Sequence, residues 1–232
     1  MTQENIKLNT EEMLQAGVNF GHKISKLHPK MKPYISGVKN NVHIFDLEKT
    51  AKELEEALKF ISKLVSDGKV MLFVSAKIQM KSLVKSVAED CGFPYVVGRW
   101  LGGTFTNFET ILKRIEYFKD LENKKAAGEF EKYTKKEKMK LDKEIKSLKI
   151  KFEGIKTLTK LPEAVFILGL EKNDTCAREA KRKGVKIISL CDTNVDPTIA
   201  DYPIPANDDA ISSVNYILEK VKETIINSKV AK

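Results

Sequence analysis

Three short runs of this chain are apolar at almost every position instead of at alternate ones: residues 69–74 (KVMLFV), 164–168 (AVFIL) and 186–190 (KIISL). A strand with one wet face alternates. Runs of this kind belong to strands buried on both faces, the condition of a parallel sheet held between two helical layers. The segments around them have a helical period. Leu54, Leu58, Ile61 and Val65 share one face of residues 48–65. Residues 76–90 follow the first run with Ser75 as N-cap, and residues 174–183 end at Gly184. Residues 208–227 read as a closing amphipathic helix, and 42–47 and 95–97 as further short strands. The expected fold class is α/β, a mostly parallel sheet with helices on both faces. At 232 residues, one core with an insertion is sufficient.

The insertion is residues 104–158. Between Gly103 and Gly154 there is no proline and a single glycine, Gly128. Thr106 with Glu109, and Thr134 with Glu137, match the S/T-x-x-E capping box of a helix start. Phe108, Leu112 and Ile115 form one apolar stripe, and Leu141, Ile145, Leu148 and Phe152 a second. Two helices turning near Gly128 as an antiparallel hairpin bury these stripes against each other without needing the sheet. The domain reading is a discontinuous α/β domain, residues 1–103 and 159–232, with a loop-rich N-terminal extension. Residues 104–158 are the inserted basic helical hairpin.

Lys and Arg number 41 against 32 Asp and Glu, a net charge of +9. That excess favours a polyanionic partner, nucleic acid or an anionic membrane surface. Its location says more than its size. Residues 113–160 hold 16 basic and 9 acidic residues, which is +7 of the +9. Lys135, Lys136, Lys138, Lys140, Lys143, Lys146 and Lys149 recur along the second helix. Taken singly, each is a lysine on a solvated face. Together they form a field that binds phosphate through counterion release without reading base sequence. The first twelve residues are polar and carry acids, unlike a signal or transit peptide, and no apolar run nears the roughly 20 residues of a bilayer span. Cys91, Cys176 and Cys191 are odd in number and widely spaced, which argues for a reducing cytoplasm.

Enzyme signatures are sparse. Gly102-Gly103-Thr104 lacks the Walker spacing, and no G-x-G-x-x-G follows a strand. Asp192-Thr193-Asn194-Val195-Asp196 begins like an EF-hand loop, but Pro197 and Pro203 stand where Gly and Glu are required. Asp192, Asp196, Asp201, Asp208 and Asp209 cluster after a strand end, where open α/β sheets bind ligands. They read as loop and cap carboxylates, with a metal-dependent enzyme site as the alternative. His22, His28 and His43 have no zinc spacing with any cysteine. The expectation is no catalytic residue, no metal, no cofactor and no small-molecule substrate.

Several blocks exceed what a generic α/β architecture requires: AGVNFGH (16–22) with PKMKPYI (29–35), RWLGGTFTN (99–107), and DTNVDP (192–197) with YPIP (202–205) and NDDA (207–210). In this order they closely resemble the bacterial ribosomal protein S-two family, the second protein of the small ribosomal subunit, over about residues 13–221. The resemblance implies a flavodoxin-like sheet with an inserted antiparallel coiled-coil hairpin. It implies a structural, non-enzymatic role in translation near the head–body junction, touching small-subunit rRNA and neighbouring ribosomal proteins. It also implies help in recruiting the mRNA-binding protein S-one, and residence on the ribosome in the bacterial cytoplasm, away from membranes. The chain departs from the usual family pattern at Asn19, often His, at Ser75-Ala76, usually Gly-Thr, and at Ala206, usually Gly. On this reading His22, Lys23, Lys26, Lys30 and Lys32 present cations to phosphate, and Arg99 makes a bidentate phosphate contact. Trp100 stacks on a base or, the favoured reading beside Leu101 and Phe105, packs beneath the hairpin, while Lys113, Arg114, Lys136, Lys140 and Lys143 supply the insertion's footprint. A free regulatory protein binding RNA or a membrane surface is the other reading the basic hairpin satisfies.

Overall fold

The computed structural model describes residues 8–230. Its N-terminal segment is more regular than a loop-rich extension. After the short helix α1 (Thr10–Gln15), strands β1 (Phe20–Lys23), β2 (Ile35–Lys39) and β3 (Val42–Phe45) form an antiparallel sheet in the order β1-β3-β2. Asn40 and Asn41 link β2 to β3 with φ of 53° and 61°, the pair of positive values a tight type I′ hairpin turn needs and Asn tolerates. The strand expected at 42–47 therefore exists, but it belongs to this small sheet and not to the parallel one.

The parallel sheet is built as the apolar runs require. Helix α2 (Leu47–Ser66) starts on Asp46, whose side chain accepts from the Glu48 and Lys49 N–H groups. It leads to β4 (Met71–Ser75), α3 (Lys81–Asp90) and β5 (Tyr95–Val97). The insertion follows with α4 (Phe108–Ala126) and α5 (Lys135–Phe152). The chain then returns through β6 (Ala164–Leu168), α6 (Asp174–Lys183), β7 (Lys186–Cys191), β8 (Tyr202–Pro205) and α7 (Ile211–Val230). The strand order is β5-β4-β6-β7-β8, all parallel, with Leu72 opposite Val165, Phe166 opposite Ile188 and Leu190 opposite Ile204. Pro203 and Pro205 confine β8 to an edge, because a proline donates nothing to a further strand.

Successive side chains of each strand serve opposite cores. Met71, Phe73, Phe166, Leu168, Ile188 and Leu190 pack with α2, α3 and α7. Leu72, Val74, Val165, Ile167, Ile187 and Cys191 pack with Cys176, Ala177 and Ala180 of α6. Both faces are thus apolar, which is why the strands do not alternate. All three cysteines are buried and free.

Three helix starts differ from the sequence reading: α7 begins at Ile211 instead of 208, and α3 and α4 also start later. Ser75 ends β4 fully buried and caps nothing; a 3-10 turn at Ile78–Met80 intervenes, and α3 begins at Lys81. Lys77, in the segment between, pairs with Asp208 and Asp209. At the insertion, the capping box expected of Thr106 and Glu109 does not form, and α4 begins at Phe108. The Thr106 N–H and hydroxyl donate to Glu179 instead. The second box is present in full: Thr134 and Glu137 cap each other at the start of α5, and Gly128 turns between the helices at φ 73°.

The insertion leans on the sheet. Ile115, Phe118 and Leu121 of α4 and Ile145 and Phe152 of α5 lie in one cluster with Leu72, Val165 and Ile187. Gly154 lies so close to β5 that a Cβ there would fall 2.1 Å from the Tyr95 carbonyl oxygen. The expectation that the helix pair needs no sheet is therefore not met at its base.

Candidate nucleic-acid interface

In a parallel sheet every strand ends on the same edge, and the unusual sequence blocks gather there. Arg99 follows β5, Asp192 follows β7 and Asp208 follows β8. The N-terminal blocks dock onto the loop after β7. The His22 N–H donates to Thr193 Oγ1 at 3.0 Å, and the His28 N–H to the Thr193 carbonyl at 2.7 Å. A Cβ on Gly21 would meet Thr193 Cγ2 at 2.5 Å, so only glycine lets β1 approach this closely. Asn207 closes the other side, its N–H donating to the Val18 carbonyl and its Nδ2 to the Gly17 carbonyl.

The acidic cluster splits into three sets with different partners. Asp196 pairs with Lys30 at 2.7 Å, and Asp201 with Lys186 at 2.7 Å. Asp192, Asp208 and Asp209 share His22 and Lys77. His22 Nδ1 lies 2.9 Å from Asp192 and Nε2 lies 3.3 Å from Asp209. Lys77 Nζ lies 2.7 Å from both Asp208 and Asp209. With a carboxylate on each ring nitrogen, His22 is held above its usual pKa, chiefly by the Asp192 hydrogen bond. Burial, then the neighbouring Asp192, push Asp208 up to about 6. Burial opposes the charge on Lys77, but Asp208 and Asp209 outweigh it and raise its pKa. His22, Asp192 and Asp209 each offer an atom within 4.8 Å of the others, close enough to hold a metal ion. The crevice between the ends of β4 and β6, where open α/β sheets take ligands, is instead crossed by Lys77; a Cβ on Gly169 would fall 3.0 Å from its Cε.

The Arg99 block is held from the far side. Glu179 of α6 is 7% exposed, and its carboxylate accepts from the N–H groups of Gly103 (2.7 Å), Phe105 (2.9 Å) and Thr106 (3.2 Å). Trp100 Nε1 and Thr106 Oγ1 also donate to it, each at 3.3 Å. Burial works against this charge, but the hydrogen bonds outweigh it and hold the pKa below the ordinary carboxylate value. Trp100 is buried edge-on to Phe105, with ring centroids 4.9 Å apart, so it packs as expected.

The basic residues singled out in the sequence sort by partnership. Lys23, Lys26, Lys32, Arg99, Lys113, Arg114, Lys136, Lys140 and Lys143 are exposed. None of these nine forms an ion pair among the described residues. His22 and Lys30 are committed to Asp192, Asp209 and Asp196. Within the insertion, Lys124 pairs with Asp120, Lys125 with Asp142, Lys149 with Glu153 and Lys156 with Glu122. The positive excess thus rests on the lysines without partners.

Lys77, Thr193 and Glu179 organise this edge, and the sequence reading assigns none of them a role there. A lysine between a strand and a helix, or a threonine inside DTNVDP, carries no local sign of its partner. Glu179 leaves a faint one: it stands three residues after Cys176 on the buried side of α6, where an acid is out of place.

The family model described as ribosomal protein S2 matches residues 13–228. A small ribosomal subunit protein uS2 from Roseiflexus sp. (strain RS-1) is 44% identical over 217 residues, covering 94% of this chain and 83% of the relative. The uS2 protein of Dehalococcoides mccartyi (strain CBDB1) is 41% identical over 221 residues, covering 95% and 90%. The protein uS2c of Rhodomonas salina is 44% identical over 214 residues, covering 92% and 88%. A match that runs through both halves of the sheet, the insertion and all the blocks at the sheet edge places this chain in the ribosomal protein S2 family.

Proposed function

We propose that this chain is a structural constituent of the small ribosomal subunit that binds small-subunit rRNA along two connected surfaces. As a ribosomal protein it is not an enzyme. One surface is the sheet edge with Lys23, Lys26, Lys32 and Arg99. The other is the insertion with Lys113, Arg114, Lys136, Lys140 and Lys143. His22 and Lys30 belong to the first surface and also brace it from below. The observation that carries this reading is that nine of these basic residues are exposed and form no ion pair among the described residues, leaving their charge free to meet phosphate. We read residues 1–103 and 159–232 as the α/β domain and 104–158 as an inserted antiparallel coiled-coil hairpin. The family resemblance adds a place near the head–body junction on the cytoplasmic ribosome, contacts with neighbouring ribosomal proteins, and support of S-one recruitment. No helix among the described residues is long and apolar enough to cross a membrane. The deciding experiment is sedimentation of a tagged chain through a sucrose gradient at modest salt. Nearly all copies are expected with the small subunit; a protein found mainly in the free fraction refutes the proposal.

A further inference from the structure

We infer that Glu179 is the positioning residue for the Arg99 turn and for the root of the insertion, a role that rests on the RNA-binding reading above. Within the turn the Thr104 N–H and hydroxyl donate to the Leu101 carbonyl and the Asn107 N–H to the Gly103 carbonyl, but these bonds close only short local loops. Asn107, at the N-cap of α4, makes no side-chain cap hydrogen bond. Nothing lies within 4 Å of where a Gly102 side chain would begin, and Gly103 takes a φ of 92°. What ties the segment from Trp100 to Thr106 to the rest of the fold is a carboxylate on another helix, 73 to 79 residues away in the chain. Five donors from four residues of the turn converge on it. Among the described residues no Lys, Arg or His forms an ion pair with Glu179. Its charge is therefore balanced by N–H and O–H dipoles that all come from the segment it holds. This is the inverse of a phosphate-binding loop: the protein supplies the anion, and the loop closes around it. The consequence reaches outward, because Arg99 immediately precedes Trp100, and Lys113 and Arg114 lie within two turns of the start of α4. The direction in which these three cations meet solvent is set at Glu179.

Trp100 is the only tryptophan of the chain and donates to the same carboxylate, so its emission reads the clamp directly. The test uses the full chain with Glu179→Gln, Arg99→Gln and the double variant, measuring Trp100 emission and affinity for a small-subunit rRNA fragment. Glu179→Gln is expected to shift Trp100 emission and expose it to quencher. It should weaken RNA binding about tenfold in the wild-type background and less than about threefold beside Arg99→Gln, the signature of coupled groups. Equal losses in both backgrounds would show that Glu179 does not act through Arg99 and overturn the inference. An unchanged Trp100 spectrum overturns the clamp itself. Failure of the wild-type chain to bind RNA overturns the proposed function and the RNA-facing role together, while the Trp100 spectrum still separates clamp from no clamp. If Glu179→Gln does not fold, Thr106→Ala removes only one hydroxyl donor and should give the same Arg99-dependent loss in smaller measure; an Arg99-independent loss overturns the inference equally.

Discussion

Neutralising Lys136, Lys140 and Lys143 together probes the second RNA surface. Their spacing places them on one side of α5, along about 10 Å of helix at 1.5 Å per residue. All three are exposed and without ion pairs among the described residues, whereas Lys125 and Lys149 on the same insertion are paired. Their replacement by Gln thus removes charge free to meet phosphate and breaks no internal bridge. Each phosphate neutralised contributes roughly 0.7 to 0.9 to the slope of log affinity against log salt. Three lost contacts flatten the slope by about 2 to 3 units. Between 50 and 200 mM salt, that removes roughly 20- to 40-fold of the wild-type decline in affinity. The assay is filter binding of small-subunit rRNA over a potassium chloride series. Circular dichroism is the control, since exposed substitutions of this kind cost within about 0.5 kcal/mol and Gln keeps helix propensity. A triple variant with the wild-type slope would falsify the reasoning and leave these lysines as an ordinary solvated face.

Two further outcomes follow from the packing and the charge network. Gly154→Ala forces a Cβ to within 2.1 Å of a backbone oxygen, with ring carbons of Tyr95 at 2.6 and 2.7 Å. A loss of about 1–3 kcal/mol, typical of overpacking, is expected in chemical denaturation; a neutral substitution would show that the exit of α5 is free to move away from β5. His22→Gln should change how stability depends on pH. The folded pKa of His22 is raised, chiefly by Asp192. The histidine's contribution is therefore full below its unfolded pKa of about 6.5 and is lost as pH rises through the higher folded value. Asp208, raised to about 6, acts in the same direction, since its folded form holds a proton that the unfolded chain releases at lower pH. The gap between wild type and His22→Gln should narrow from pH 5.5 to 8.5, and a constant gap across that range would contradict the assigned pairing.

The distribution of residues along the chain determined the layers of this protein. Unbroken apolar runs at β4, β6 and β7 require burial on both faces, and the stripes of α2, α4 and α5 mark which helix faces go inward. The capping pair Thr134 and Glu137 sets the start of α5, because a cap is made between residues three apart and is visible in any local window. The concentration of lysine in the insertion is equally local. A resemblance carried by a few blocks pointed to the family before any contact was known.

Only the tertiary structure decided how those blocks act on one another. It placed the N-terminal strands on Thr193, divided the five aspartates among Lys30, Lys186, His22 and Lys77, and started α3 and α4 later than their local signals indicate. The polar pairings share one cause. A buried charge finds its partners wherever the fold brings donors within about 3 Å. For Lys77 and Asp208 that means 131 residues of separation, and for Thr106 and Glu179 it means 73. Periodicity records which face of an element is buried. A hydrogen bond between distant segments leaves no period, so these polar partners became visible only once the sheet had brought its strand ends to one edge.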